Sequence, residues 1–194
     1  MTSQTQYWNR LIQPGIVALV GAGGKTTVLS KLVEYGRLQG QPIVVTTTTQ
    51  LYESQVAQYE PIYTKDINDV DEYCTKRIQQ GYCGAWFNGI TRTKVDAVDC
   101  ESIDGLSALH PNWQIVVEAD GAKEKWLKAP KHTEPVIPSQ TKTTIGVVNL
   151  QMLGASLDED HVHNLELVQS IVHREEGAIV TPHMLAQIVL HKQG

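Results

Sequence analysis

The chain has 194 residues, 41% of them hydrophobic and 19% charged, which is enough to bury the core of an ordinary domain and too apolar for a disordered chain. With 16 Lys and Arg against 21 Asp and Glu, its net charge of −5 argues against nucleic acid as a partner. No run reaches the roughly 18 apolar residues of a membrane span, the polar start carries no secretory signal, and three cysteines without a C-x-x-C pair argue against a disulfide framework, so no membrane and a cytoplasmic location are expected.

Residues 1–14 read as a polar arm ending at Pro14-Gly15, and residues 15–194 as a single domain. Ile16 to Val20 is a short continuous apolar run bounded by glycine, the pattern of a strand buried on both faces of a parallel sheet. Gly21 to Gly24 form a glycine-rich turn. Val28, Leu29, Leu32 and Val33 then repeat with helical spacing, and Gly40 and Pro42 end that helix. Ile43-Val44-Val45 is a second strand, so strand, helix and strand make a crossover unit. Further along, a helix is expected over 66–80, a strand over 82–87, a short helix over 102–109 and a buried strand at Ile115 to Glu118. Residues 121–140, with Pro130, Pro135 and Pro138, read as a long stiffened loop. A strand over 144–148, a helix over 160–173, a brief strand at 178–180 and a last helix opened by Thr181-Pro182 complete the chain. This alternation predicts an α/β fold with a doubly wound, mostly parallel sheet.

The segment Gly21-Ala22-Gly23-Gly24-Lys25-Thr26-Thr27 lies between a buried strand and a helix, where a phosphate-binding loop must be embedded. Glycines let main-chain N–H groups wrap an anion, and the helix N-terminus adds a partial positive charge. Lys25 supplies a full charge for the outer phosphates, and the Thr26 hydroxyl can ligate Mg²⁺. Leu19 stands where the full G-x-x-x-x-G-K-[ST] spacing has glycine, so the loop is a shortened form that resembles the loop of Mur-type peptide ligases. The fold expected around it is a P-loop NTPase-like three-layer sandwich.

A nucleotide–Mg²⁺ site also needs carboxylates at strand ends. Glu118 and Asp120 close the Ile115–Val117 strand, one suited to hold Mg²⁺ and the other to orient an attacking group; the alternative is a pair of solvated turn acids. Thr47 and Thr48, inside the run Thr46 to Thr49, are either β-branched strand-end residues or hydroxyl donors to a phosphate. After Asp120, Lys123, Lys125, Lys128 and Lys131 surround Trp126, which reads as a basic lid over an anion or as a solvated loop. His161 and His163 are read as surface or capping residues of a helix start.

These residues resemble a known family. VGAGGKTT, VVTTTTQLY, VVEADGAKEKWLKAPKHTEPVIP and TIGVVNLQMLGASLDEDHVH are similar to segments of the YqeC family, selenium-dependent hydroxylase accessory proteins. The resemblance falls on Gly21, Gly24, Lys25, Thr26, Thr47, Thr48, Glu118, Asp120 and Gly121, and continues at Lys128, Pro130, Glu134, Pro135, Pro138 and His163. It implies a P-loop protein that binds ATP or GTP with Mg²⁺ and assists maturation of selenium-dependent molybdenum hydroxylases, with a hydroxylase or its cofactor as partner. Phosphates would be bound by Gly21 to Thr27, Thr47, Thr48 and Lys128, the metal by Thr26 and Glu118, and the reaction carried by Lys25, Glu118 and Asp120. Two other activities stay open: a ligase or kinase with a Mur-like loop, and a nucleotide-gated chaperone without turnover.

Overall fold

The computed structural model describes residues 3–191, with side chains from Tyr7 onward. In chain order the helices and strands are α1 (Ser3–Leu11), β1 (Gly15–Gly21), α2 (Lys25–Leu38), β2 (Ile43–Thr47), β3 (Leu51–Tyr52), α3 (Glu53–Val56), β4 (Ile62–Tyr63), α4 (Ile67–Gln79), β5 (Gly84–Phe87), β6 (Gly89–Thr91) and β7 (Lys94–Asp96). They continue with α5 (Cys100–Leu109), β8 (Gln114–Glu118), β9 (Leu127–Lys128), β10 (Thr141–Val147), β11 (Val162–His163), α6 (Leu165–Val172) and α7 (Pro182–Leu190). Among the described residues no helix is long and apolar enough to cross a membrane.

Six strands form one sheet in the order β10-β1-β8-β2-β5-β4, and every pairing from β1 through to β4 is parallel. Helices flank it, which is the expected doubly wound α/β architecture. β8 lies between β1 and β2, so the first two sheet strands flank it instead of pairing with each other. The reason is apolar content: Ile115, Val116 and Val117 have no exposed surface, and such a strand is most stable at the sheet centre. The register sets Glu118 opposite Leu19 on one side and Thr47 on the other, so β2 and β8 finish at one level and β1 runs on to Gly21. Two small sheets accompany it, an antiparallel β3-β7-β6 and a parallel β9-β11 pair.

By internal contacts the chain forms two compact units. The first contains residues 3–19, Thr26–Ala119 and Val136–Ile145; the second contains Val20–Lys25, Asp120–Pro135 and the residues from Gly146 on. A core of Val17, Leu19, Leu29, Leu32, Val45, Phe87 and Val116 lies in the first. In the second, Leu127, Met152, Leu157, Val162, Val168 and Met184 form a core of their own.

Local structure departs from the sequence expectation in four places, one of them the brief strand expected over 178–180, which is a single bridge between Ser156 and Ile179. Residues 3–11 are a helix where a polar arm was expected, because Trp8, Leu11 and Ile12 share a face that packs into the first core, with Trp8 stacked on Tyr35 at 5.6 Å. Residues 1 and 2 of that arm lie outside the described residues. The 121–140 loop is interrupted by β9. The helix expected over 160–173 begins only at Leu165. Its place is taken by a turn on Asp158, whose carboxylate accepts the N–H groups of Asp160 and His161 at 3.1 Å each, and by β11. Asn164 separates β11 from α6 in a left-handed conformation (φ 60°), which Asn tolerates, and its side-chain amide donates to the Ala129 carbonyl at 2.8 Å.

Candidate functional site

The glycine loop is shaped by close approach. Gly21 has φ 99°, and a methyl group there would lie 2.2 Å from the Val147 carbonyl oxygen; Gly23 has φ 70°, and a methyl there would meet the Asn149 Cβ at 2.4 Å. Only glycine fits both positions, on conformational and steric grounds. The Ala22 N–H is bonded to Val147 O at 3.1 Å, which ties the loop to the end of β10. Asn149 accepts the Gln151 N–H at 2.9 Å, so its acceptor caps a turn. α2 then opens at Lys25, and its first N–H groups have no partner within the helix by geometry. Thr26 and Thr27 occupy that first turn; Thr27 is exposed, and the Thr26 hydroxyl accepts from the Gln55 side-chain amide at 3.3 Å.

The Lys25 ammonium is buried and anchored inside the second unit. It donates to the Gly21 carbonyl at 2.9 Å, to the Asp120 carbonyl at 2.5 Å, and to the Asp120 carboxylate, with which it forms an ion pair. The other carboxylate oxygen of Asp120 accepts the Gly21 N–H at 2.9 Å and faces the Lys128 ammonium at 3.1 Å. Lys128 in turn donates to Glu134 at 2.9 Å and to the Gly121 carbonyl at 2.7 Å. Lys25, Asp120 and Lys128 are 5%, 2% and 4% exposed. Desolvating three charged side chains is tolerable only because each finds an opposite charge and further hydrogen bonds. Lys128 is therefore no solvated lid residue. β9 carries it into the interior, and it is the lysine that braces Asp120. Around it, Lys123, Glu124 and Lys131 are exposed, Lys125 donates to the Asp160 carbonyl at 3.1 Å, and Trp126 is tilted against His161 at 4.7 Å.

Glu118 and the threonines Thr46 to Thr49 belong to the first unit. Glu118 is buried, and its carbonyl accepts the Thr47 hydroxyl at 2.8 Å and the Thr48 N–H at 3.1 Å. The Thr48 hydroxyl donates to Val136 O at 2.6 Å, and Thr46 to Trp86 O at 2.8 Å. Thr47 also accepts the Thr49 N–H at 3.1 Å, so these hydroxyls spend their donors on main-chain carbonyls at the strand ends. His161 of the second unit pairs with Asp158 at 2.6 Å in the turn before β11, so it caps no helix: α6 starts only at Leu165. Glu134 was not singled out for chemistry by the sequence reading. Its only sequence signal was its place in the EPVIP block, since an acid between prolines carries no spacing rule.

The donor set suits a phosphate. Glycines that admit no Cβ shape the turn, an N–H and an ammonium already converge on a carboxylate, and a helix N-terminus stands behind them. For Mg²⁺, which keeps several waters and takes one or two protein ligands, the Thr26 hydroxyl and the Glu118 carboxylate are chemically suitable oxygens.

A doubly wound sheet whose first strand runs through a glycine turn into a lysine-led helix defines the class: an α/β protein with a phosphate-loop-like strand–turn–helix. The family model described as YqeC protein matches residues 17–166, and the chain belongs to the YqeC family. Among curated proteins it is similar to "Uncharacterized protein YqeC" of Escherichia coli (strain K12), with 28% identity over 183 residues, 94% of this chain and 70% of that protein. No solved structure shows a significant match.

Proposed function

We propose that the protein binds the phosphates of ATP or GTP at Gly21–Thr27 and hydrolyses the terminal phosphoryl group, as an accessory in maturation of selenium-dependent molybdenum hydroxylases. The observation that carries the reading is the seat of the Asp120 carboxylate. An anion supplied by the protein rests on the Gly21 N–H and the Lys25 ammonium, the groups a phosphate would use. A phosphate arriving at the loop takes Lys25 over, and Asp120 remains held by Lys128. Asp120 then orients water for attack on the terminal phosphorus; the bond to the bridging oxygen breaks, and the diphosphate leaves. Magnesium, held by Thr26 and Glu118, would neutralise charge on the phosphate oxygens. The maturation role rests on the family resemblance of the EADGAK and EPVIP segments.

Thermal shift against ATP, GTP and their diphosphates with Mg²⁺ tests the reading. A ligand at 100 times Kd adds about 2.7 kcal/mol, or roughly 5–10 °C for a chain of this size. Lys25→Ala should weaken nucleotide binding on the order of 10–150-fold by calorimetry, through loss of charge-assisted hydrogen bonds worth about 1.5–3 kcal/mol. Shifts no larger than sulfate produces would overturn nucleotide binding. Tight binding without phosphate release would replace hydrolysis by a nucleotide-gated chaperone, and release only with an acceptor would replace it by a ligase or kinase.

A further inference from the structure

Within the second unit, the parallel pair β9–β11 has two unlike faces. Leu127 and Val162, set opposite each other, are buried in the second core. Alternation puts their neighbours on the other face: Trp126 and Lys128 from one strand, His161 and His163 from the other. Lys128 is spent there, at 3.1 Å from Asp120 and 2.9 Å from Glu134. Trp126 is not. It stays 37% exposed, with its ring centre 4.7 Å from that of His161 and the two planes 56° apart. Both rings are fixed from behind. The Trp126 and Leu127 N–H groups donate to His161 O at 2.8 and 3.2 Å, the Lys125 ammonium donates to Asp160 O at 3.1 Å, and the Asp158 carboxylate lies 2.6 Å from His161 Nδ1. With Nδ1–H committed to Asp158, the neutral imidazole presents Nε2 as an acceptor, and among the described residues Nε2 makes no hydrogen bond. An exposed indole braced by a second, anchored ring is a preorganised stacking surface, because little rotamer freedom is left to lose when a third ring arrives.

We propose that Trp126 and His161 seat a flat heteroaromatic ring that carries a ring N–H, and that this ring belongs to a second small-molecule ligand, not to the nucleotide. Trp126 supplies the stacking face, and His161 Nε2 accepts the ring N–H, which favours a purine-type lactam over a ring without such a donor. The place of the seat argues for a second ligand. Trp126 stands about 6.6 Å along the strand from Lys128, and Lys128 braces Asp120, the residue set against the terminal phosphorus in the reading above. The seat therefore adjoins the acceptor end of the phosphate chain, and the nucleotide's own base leaves from the other end. The ring's part as acceptor rests on the phosphate-loop reading; the seat itself does not.

The experiment is an NMR titration of the full chain labelled with ¹⁵N-tryptophan, at about pH 8, where an ordinary imidazole is neutral. The chain has four tryptophans, and the Trp126 indole signal is assigned through Trp126→Phe. The probes are inosine, which has a ring N–H, and 1-methylinosine, in which a methyl group replaces that hydrogen. Each is added alone and again with saturating Mg²⁺-tripolyphosphate, which offers the loop phosphates without a base. The expected result is a saturable shift of the Trp126 signal by millimolar inosine in both conditions, with the Trp8, Trp86 and Trp113 signals unmoved. Affinity should be about tenfold weaker for 1-methylinosine, about tenfold weaker for inosine in His161→Phe, and unchanged in Lys65→Gln. The other three indole signals report that each variant is folded. Absence of a Trp126 response to inosine overturns the seat, as does an equal response to the two nucleosides. A Trp126 response to Mg²⁺-ATP or Mg²⁺-GTP that shuts inosine out overturns the second ligand and gives the seat to the nucleotide's base. Nucleotide binding is read separately by calorimetry. A chain that ignores nucleotide but shows the inosine response loses the proposed function and keeps this seat, and the reverse pattern does the opposite.

Discussion

Asp120 carries the densest set of charged contacts described for this chain. Removing its charge leaves Lys25 and Lys128 buried, with Glu134 the remaining carboxylate of the set. Breaking a buried pair from one side costs about 3–5 kcal/mol, so Asp120→Asn should lower Tm by roughly 6–20 °C in a chain of this length. Phosphate or sulfate should recover more of the loss in this variant than it adds to the parent, because an external anion can take the abandoned seat. Scanning calorimetry with and without anion checks both statements. At another residue, burial pushes the Cys74 thiol up to about 12, with Cys83 and Asp71 adding to it, whereas Cys100 is partly exposed and raised without a comparable shift. Alkylation by iodoacetamide at pH 8.5 should therefore modify Cys100 first and leave Cys74 untouched until the chain unfolds, which peptide mass mapping would show.

Among the elements, β5 shows how closely a helix can approach the sheet. A methyl group on Gly84 would lie 2.7 Å from the Cys74 Sγ on α4 and 3.3 Å from Val44 on β2. Gly84→Ala should cost about 1–3 kcal/mol by overpacking, and adding Cys74→Ala should return part of it, since removing the sulfur opens the space that the methyl needs. Urea denaturation of the two single variants and the double variant gives the coupling. The same scale explains the behaviour of the basic loop. β9 buries Leu127 and Lys128 by pairing with β11, while Lys123 and Lys131 stay exposed. Trypsin should cut the native protein after Lys123 or Lys131 well before Lys128, with or without nucleotide. Early cleavage after Lys128 would restore a mobile lid.

Across the whole molecule, the pH dependence of stability has a definite sign. His163 in the folded chain holds its proton less firmly than an ordinary histidine, because of burial and the lysines around it. Below about pH 6.5 the unfolded chain takes up a proton that the folded chain does not, so stability falls as pH drops and levels out below the folded midpoint. Asp99, which caps α5 through the Ser102 N–H, and Asp158 are held below the usual carboxylate range, and their contribution is lost only under stronger acid. Denaturation midpoints from pH 7.5 to 5 should decline, and His163→Gln should flatten part of that slope.

Periodicity and turn chemistry marked β1, α2, β2, α4, β8 and the Thr181-Pro182 start of α7, because each is specified by neighbours along the chain: apolar runs, i, i+3, i+4 stripes and capping residues. Gly21 to Lys25 was legible for the same reason, since its glycines and lysine are consecutive. The sequence could not show that β8 separates β1 from β2, or that Trp8 and Ile12 turn a polar-looking start into a packed helix; pairing partners and burial are long-range properties. Nor could it show the state of the charges. Lysines 123, 128 and 131 look alike along the chain, and only the β9–β11 pairing buries the middle one against Asp120 and Glu134 and leaves the others exposed. Electrostatic roles follow from distance and desolvation, and both are set by the folded chain.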